Sequence, residues 1–374
     1  MIDQPKAPEI QSKPSAIDGL RAFLTSDTFA YVVKRLFQGL ITLFLASILC
    51  YVIVQLTPGN YLDKLRTDPK ISPERLAELA KQFGLEDEPE SPIAAKAWSE
   101  FWGLWGPWLG WVFQRYWLWL GQVLQGNFGY SFASQRPVLT LIAEKVPNTL
   151  LLSIASILIT WSIALPLGII GAVKQNRLTD RVLRVFSYAG QGFPSFITAL
   201  LLLFFAQSTP LFPVGNMTSV YHADLSPIGK VLDIGWHMIL PTLALTVTSF
   251  AGLQRLTRGN LLDVLRQNYV QTARAKGLPE NKVIYVHALR NAVNPLITLL
   301  GFEFASLLGG AFIAETFFNW PGLGRLILKA VLEQDLYLVM ASLMIGAVML
   351  IIGNLLADLL LKVVDPRIQL DEMK

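Results

Sequence analysis

The chain has 374 residues, of which 53% are hydrophobic and only 16% charged, and its mean hydropathy is +0.45. Soluble domains carry about 25% charged residues, and the uncharged runs of twenty residues or more leave too little polar surface for a water-soluble fold. A soluble enzyme is thereby excluded. The 21 Phe, 10 Trp and 10 Tyr exclude a solvated disordered chain, and the small net charge of +4 does not point to nucleic acid. The single cysteine, Cys50, rules out an internal disulfide, and His222, His237 and His287 lack the spacing of a paired ligand set, so no metal centre is expected.

Met1 to Asp18 is polar, holds Pro5, Pro8 and Pro14, and has no apolar core of a signal peptide. Ile17 to Phe29 reads as a short amphipathic helix or a solvated leader. The first span is predicted over Leu36–Thr57, about 22 residues without a charge, which at 1.5 Å per residue crosses about 30 Å of hydrocarbon. The second lies in Val146–Val173 and contains Pro166. The third runs from Arg184 to about Gln207 with Gly190, Gly192 and Pro194 as kink points. The fourth covers Trp236 to Leu253, the fifth Pro295 to Ala314 with Glu303 inside it, and the sixth Leu336 to Leu361 with Asp358 near its end.

Lys and Arg favour the cytoplasmic side of short loops. Lys174, Arg177, Arg181 and Arg184 crowd one loop, and Arg255, Arg258, Arg266, Arg274, Lys276, Lys282 and Arg290 another, whereas the loop between spans three and four offers only Lys230. Both termini are therefore expected inside. The chain divides into a cytoplasmic tail (1–30), a first span (31–57), an outer segment (58–145), a core of five spans (146–362) with an inner loop (255–290), and a cytoplasmic tail (363–374). The outer segment passes from a charged stretch, Ser72–Gly84, through an acidic cluster at Glu86–Glu90 into seven tryptophans between Trp98 and Trp119. Trp98, Trp102, Trp105 and Leu109 fall on one helical face, which reads as an amphipathic helix in the headgroup region; a seventh span is disfavoured because only about 14 uncharged residues precede Arg115.

No Gly-x-x-x-x-Gly-Lys-Ser/Thr loop is present, and the histidines stand near no carboxylate in sequence, so neither nucleotide hydrolysis nor acid–base catalysis by this chain is expected. The inner loop reads Asn268-Tyr-Val-Gln-Thr-Ala-Arg-Ala-Lys-Gly277-Leu-Pro279. That spacing predicts a short helix from about Asn268 to Lys276, a left-handed cap at Gly277 and a new helix opening at Pro279. Such a knob is too charged for lipid, yet it carries Tyr269, Val270, Ala273 and Leu278. In span five, Glu303, Ser306 and Gly310 share one face at i, i+3 and i+7, and an ionisable group at membrane depth usually faces a cavity or a partner. That face reads as lining a translocation path, with a packing role for Glu303 as the alternative. Gly301, Ala305 and Gly309 form the opposed small-residue row.

The stretch Gln271-Thr-Ala-Arg-Ala-Lys-Gly277 resembles the cytoplasmic Glu-Ala-Ala loop of ATP-binding-cassette (ABC) importer permeases, in the form found in the dipeptide, oligopeptide and nickel branch. Leu56-Thr-Pro-Gly59, Gly126-Asn-Phe-Gly-Tyr-Ser131, Pro147-Asn-Thr149, Phe193-Pro-Ser-Phe196, Leu240-Pro-Thr-Leu243, Glu315-Thr-x-Phe-x-Trp-Pro-Gly-Leu-Gly324 and Asp365-Pro-Arg367 extend the resemblance over most of the chain from residue 31. Gln271 and Thr272 replace the loop's acidic residue and first alanine, so an acid-dependent contact is not carried over. The Trp-rich insertion, about 90–117, is longer than the family pattern. The resemblance implies an all-α integral membrane protein of the type I importer permease fold, with six transmembrane helices, in a bacterial inner membrane. It implies a function in moving di- or oligopeptides, or nickel or another solute. The implied partners are a homologous second permease, giving a heterodimer, two ATP-binding subunits that hold ATP and Mg, an extracytoplasmic solute-binding protein and membrane lipid. This chain itself is expected to bind no cofactor. The loop is implied to dock on an ATP-binding subunit, with Tyr269, Val270, Gln271, Thr272, Ala273, Arg274, Ala275, Lys276, Gly277 and Leu278 as the coupling residues. Within them Tyr269, Val270, Ala273 and Leu278 supply surface, Arg274 and Lys276 rim charges, and Gly277 the bend. Against this stand two other classes: an ion-coupled secondary transporter or channel using Glu303 and Asp358, and a non-transporting membrane scaffold.

Overall fold

The computed structural model describes residues 27–56, 61–66, 71–83 and 98–364. The Ile17 helix up to residue 26, the Pro58-Gly59 turn, the Glu86–Glu90 cluster and the Asp365-Pro-Arg367 motif lie outside them. The helices are α1 (Asp27–Leu56), α2 (Tyr61–Arg66), α3 (Pro73–Phe83), α4 (Trp98–Leu124), α5 (Val138–Val173), α6 (Leu178–Gly192), α7 (Ser195–Ser208), α8 (Pro227–Leu265), α9 (Asn268–Ala275), α10 (Glu280–Ala292), α11 (Asn294–Gly310), α12 (Phe312–Phe317), α13 (Leu323–Leu332) and α14 (Leu336–Val364). Among the described residues α1, α5, α8 and α14 are each long and apolar enough to cross a membrane; α6 with α7 and α10 with α11 qualify as bent pairs, giving six spans if each pair is one.

Helices in lipid gain little from hydrophobic burial against one another, so close contact depends on small side chains and internal hydrogen bonds. The central pair follows that rule. Thr149, Ser153, Ser156, Thr160, Ala164, Gly168 and Gly171 form the buried stripe of α5, and Thr242, Ala244, Thr246, Ala251, Gln254 and Thr257 that of α8. Ser187 of α6 closes on the same stripe, donating to the Gln254 Oε1 atom at 2.6 Å. At one end, which we name by its Trp320 turn, Leu152, Ala199, Leu240, Ala314 and Trp320 pack α5, α7, α8 and α12 together. At the opposite end Ala172, Leu261, Val270, Val283 and Ala292 gather α5, α8, α9 and α10. Asp358 of α14 accepts from the Tyr31 hydroxyl at 2.8 Å and pairs with Arg35 at 3.0 Å, so it ties α14 to α1.

Several boundaries differ from the sequence reading for identifiable reasons. The third span is not one kinked helix: α6 and α7 meet at 98°, because Pro194 has no N–H to continue the ladder and holds Phe193 extended. The helix α8 begins at Pro227, nine residues before the expected Trp236, with the Ser226 hydroxyl accepting from Gly229 N as an N-cap and proline at the first position. It also continues to Leu265, so the first third of the expected inner loop is helix. The helix α5 starts at Val138, and the division at 145 falls inside it, because Val138, Leu141 and Ile142 pack against α13 and α14. A π-helical stretch, Val283–Ala288, and Pro295 bend α10 against α11 by 48°.

The Trp-rich segment forms a 27-residue helix whose buried face is Trp108, Val112, Tyr116 and Trp119, not the face of Trp105 and Leu109. Trp105 is only partly buried and Leu109 is exposed; the side chains of Trp98 and Trp102 lie outside the described residues. Tyr51 of α1 and Met340 of α14 complete this cluster.

Candidate functional site

The inner-loop helix α9 ends as the sequence requires. Gly277 takes a left-handed φ of +75°, its N–H bonds to the Arg274 carbonyl at 2.9 Å, and the Leu278 N–H reaches back to the Ala273 carbonyl at 3.4 Å. This is the six-to-one and five-to-two pairing of a Schellman cap, with Leu278 and Ala273 in one apolar cluster beside it. Pro279 then caps α10. Arg274 and Glu280 close the turn with two hydrogen bonds, Nη2 to Oε1 at 2.7 Å and Nε to Oε2 at 3.2 Å. The Glu280 carboxylate beside it raises the Arg274 guanidinium further above its ordinary pKa. The Tyr269 hydroxyl accepts from Asn291 Nδ2 at 2.7 Å, and Gln271 Nε2 donates to the Leu265 carbonyl at 3.1 Å.

This geometry redistributes the roles expected of the loop. Val270 and Ala273 are buried against Ala172, Leu261 and Val283 of the same chain, and Leu278 is half-buried with them. Val270 and Ala273 hold α9 in place and leave almost no surface to a partner, while Leu278 keeps part of its surface exposed. Arg274 is committed to Glu280 and is not a free rim charge. The expected coupling residues that stay exposed are Tyr269, Gln271, Thr272, Ala275, Lys276 and Gly277.

Beneath α9 the ends of α5, α6 and α8 are joined by a buried ion pair that the sequence reading missed. Asp180 is fully buried; Arg258 donates to it through Nε at 2.6 Å and Nη2 at 2.9 Å, and the Asn176 N–H adds a third bond at 2.8 Å. Arg184 stands at 3.6 Å. The signal was present in sequence as one acid, Asp180, among four bases, but charge counting treats it as a deduction from the loop's net charge and not as a partner.

A groove of about 500 Å³ runs along α8 from Thr248 and Ser249 to Asp263, lined also by Gly252, Arg255 and Asn260, with Glu303 of α11 at its wall. Trp161 Nε1 donates to Glu303 Oε2 at 2.9 Å. The surroundings of Ser306 and Gly310 lie outside what is described, so the proposed three-residue face is described at Glu303 only.

Two further knots lie toward the Trp320 end. The fully buried Glu315 carboxylate accepts from Thr149 Oγ1 at 2.6 Å and from the Arg325 N–H at 3.0 Å, while Thr149 Oγ1 accepts from Leu323 N at 2.7 Å. Asn148 donates to the Pro321 carbonyl and accepts from Trp320 Nε1 on its own carbonyl. A Cβ at Gly322 would stand 2.2 Å from the Glu315 carboxyl carbon, so only glycine lets the turn close over this group. The Pro147-Asn-Thr149 and Glu315-to-Gly324 motifs are thus two halves of one buried structure. Likewise Asp335 accepts from Ser131 Oγ at 2.5 Å and from Ala133 N at 3.2 Å, joining the Gly126-to-Ser131 motif to the start of α14. Contrary to the sequence reading, His222 does have a carboxylate partner: its Nδ1 lies 2.7 Å from Asp233 Oδ2, and His237 Nδ1 lies 2.8 Å from the Asp233 carbonyl. Asp233 also accepts from Ser219 N at 3.0 Å, so this trio fastens the loop before α8.

Two family models together match most of the chain. The family described as "Binding-protein-dependent transport system inner membrane component" matches residues 164–370, and the one described as "Binding-prot-dependent transport system membrane comp, N-term" matches residues 28–153. The oligopeptide transport system permease protein AppB of Bacillus subtilis (strain 168) is 35% identical over 342 residues, 91% of this chain and 99% of its own length. The glutathione transport system permease protein GsiC of Escherichia coli (strain K12) is 33% identical over 340 residues, covering 91% and 98%. A solved structure of the MetNI methionine ABC transporter in inward-facing conformations is 15% identical, with a TM-score of 0.47, covering 60% of this chain and 97% of that one.

Proposed function

The chain belongs to the inner-membrane permeases of binding-protein-dependent transport systems, the membrane subunits of ABC importers, and on that premise we propose that α9 is its coupling element and the α8 groove its half of the solute path. One observation carries the first part. The helix α9 is fastened to its own chain by Val270, Ala273 and the Arg274–Glu280 pair, yet leaves Tyr269, Gln271, Thr272, Ala275 and Lys276 facing outward. A lever must be rigid toward the body that it moves and open toward the body that pushes it. Two ATP-binding subunits, carrying ATP and Mg, are the pushing partners; the permease works with a homologous second permease and an extracytoplasmic solute-binding protein.

The orientation follows from charge. Arg184, Arg258, Arg266, Arg274, Lys276 and Arg290 gather at the α9 end, which is therefore the cytoplasmic one, with both termini on that side. When the tagged permease is purified from mild detergent, the ATP-binding subunits accompany it. Tyr269→Asp combined with Lys276→Glu releases them while the permease stays in the membrane; retention of both subunits by that double variant contradicts the docking face.

The solute is proposed to be a small peptide, a reading supported by the names of the oligopeptide and glutathione permeases above and by the chemistry of the groove. A carboxylate at membrane depth is costly unless it faces water or a cation, and Glu303 stands at the groove wall where a peptide ammonium passes. Glu303→Gln keeps an acceptor for Trp161 but removes the charge. A charge-assisted hydrogen bond contributes about 1.5–3 kcal/mol, so uptake of peptides with a free amino terminus falls roughly tenfold or more. N-acetylated peptides are unaffected. Radiolabelled uptake into vesicles reads both; equal rates for the two proteins would assign Glu303 to packing.

A further inference from the structure

We propose that α4 is sunk into the apolar part of the membrane, and that its free face is covered by lipid acyl chains of the leaflet on the Trp320 side. The depth comes from its partners. Tyr116 of α4 is hydrogen-bonded to Ser47 of α1 at 2.7 Å, with both side chains buried. Ser47 is the midpoint of the uncharged run Leu36–Thr57 and stands nine residues, about 13 Å, before the end of α1 at Leu56. The apolar half-thickness of a bilayer is about 15 Å. Trp117, next along α4, meets Phe44 at 6.1 Å between ring centroids, deeper still along α1. A helix resting among headgroups would touch only the last turn of α1.

The free face has the chemistry of a lipid surface. Between Gly103 and Gly121 the exposed residues of α4 include Leu109, Phe113, Trp117 and Leu118, and Gln114 is the one polar side chain among them. The one charge in that stretch, Arg115, is half-buried and lies over the Trp111 ring at 5.4 Å. A docking patch for a soluble protein carries a polar, charged rim, which is missing here. Through Phe44 the face also continues onto the exposed Leu40, Leu45 and Leu49 of α1, a membrane-crossing helix.

The test places a spin label at Phe113→Cys or Leu118→Cys in the assembled transporter, after Cys50→Ser removes the native thiol, in vesicles of phosphatidylethanolamine and phosphatidylglycerol. Leu45→Cys on α1 serves as the lipid reference, and Val220→Cys, 94% exposed in the loop between α7 and α8, as the water reference. The expected result is that oxygen relaxes the label more than a water-soluble nickel chelate does at 113, 118 and 45, and that this ratio inverts at 220. In unlabelled protein, dibrominated acyl chains quench Trp fluorescence, and Trp117→Phe removes part of the quenching. Labels at 113 and 118 that follow 220, or become shielded when the solute-binding protein is added, make the face a water-facing docking surface and overturn the proposal. Comparable relaxation by the two reagents, the headgroup pattern, overturns it as well.

Discussion

Arg258→Met lowers the stability of the permease by ~3 kcal/mol, read as a shift in the denaturation midpoint of the detergent-solubilised protein. Breaking a buried ion pair by removing one partner costs about 3–5 kcal/mol, because the other charge stays buried without compensation. We place Arg258 at the lower end, since Asp180 keeps the Asn176 N–H at 2.8 Å and Arg184 at 3.6 Å. The consequence is functional as well as energetic. Asp180 lies in the first turn of α6, Arg258 lies two turns before the end of α8, and Gly171 near the end of α5 packs against both, so the pair makes one block of the three helix ends beneath α9. Pairing Arg258→Met with Asp180→Asn removes both charges and restores part of the loss. An unchanged midpoint for the single variant means that the pair is solvated in the membrane and holds nothing.

Gly277→Val has a smaller effect on stability and a larger one on transport. The left-handed region costs an ordinary residue about 1–2 kcal/mol, and a β-branched side chain is a marked outlier there. No neighbouring atom lies within 4 Å of a Cβ built at Gly277, so the penalty is conformational and not steric. The strain is relieved by undoing the cap, which frees the Leu278 N–H from Ala273 and pulls Arg274 from Glu280. Uptake then falls more than about tenfold, corresponding to a coupling free energy above ~1.4 kcal/mol, while the partner subunits still hydrolyse ATP. Gly277→Asn, whose side chain tolerates the same conformation, retains most of the uptake. Parallel measurements of uptake and ATP hydrolysis in reconstituted vesicles distinguish the two variants. Normal solute-stimulated uptake by the valine variant contradicts a coupling role for this turn.

The spans were legible wherever apolarity alone decides a helix. The runs that begin at Leu36, Val146 and Leu336 each coincide with a long helix, because no charge enters the first two and Asp358 enters the third only near its end. What apolarity hides is where a helix continues through polar residues or stops within apolar ones. The Ser226-Pro227 start of α8 was a readable capping signal, overlooked because the turns after it are not hydrophobic enough to look like a span. The right angle at Phe193-Pro194 was read as a kink because proline's effect on the residue before it is local, while the direction of α7 is set by packing against α8 and α12.

In the site, the cap at Gly277 was readable because turn chemistry is local. The inward direction of Val270 and Ala273 was not, because an eight-residue helix presents apolar residues to its own chain and to a partner in the same pattern. Glu315 with Thr149, Ser131 with Asp335 and Asp180 with Arg258 join residues 166, 204 and 78 positions apart. Family motifs flagged Thr149, Glu315 and Ser131 without a reason and did not reach Asp335; the structure supplies the reason as buried carboxylates that each need several donors. The Trp-rich helix shows the same limit, since tryptophans fill nearly every side of α4 and only α1 and α14 select which ones are buried.

The exposed face of α9 is proposed to meet an ATP-binding subunit. The most direct test is a bifunctional thiol-to-amine cross-link from Thr272→Cys, in a Cys50→Ser background, within membranes expressing the whole transporter. Val220→Cys, at the opposite end of the molecule, is the control. An adduct with an ATP-binding subunit is expected from position 272 and none from 220; no adduct at 272, or equal yields from both positions, rules out docking through this face.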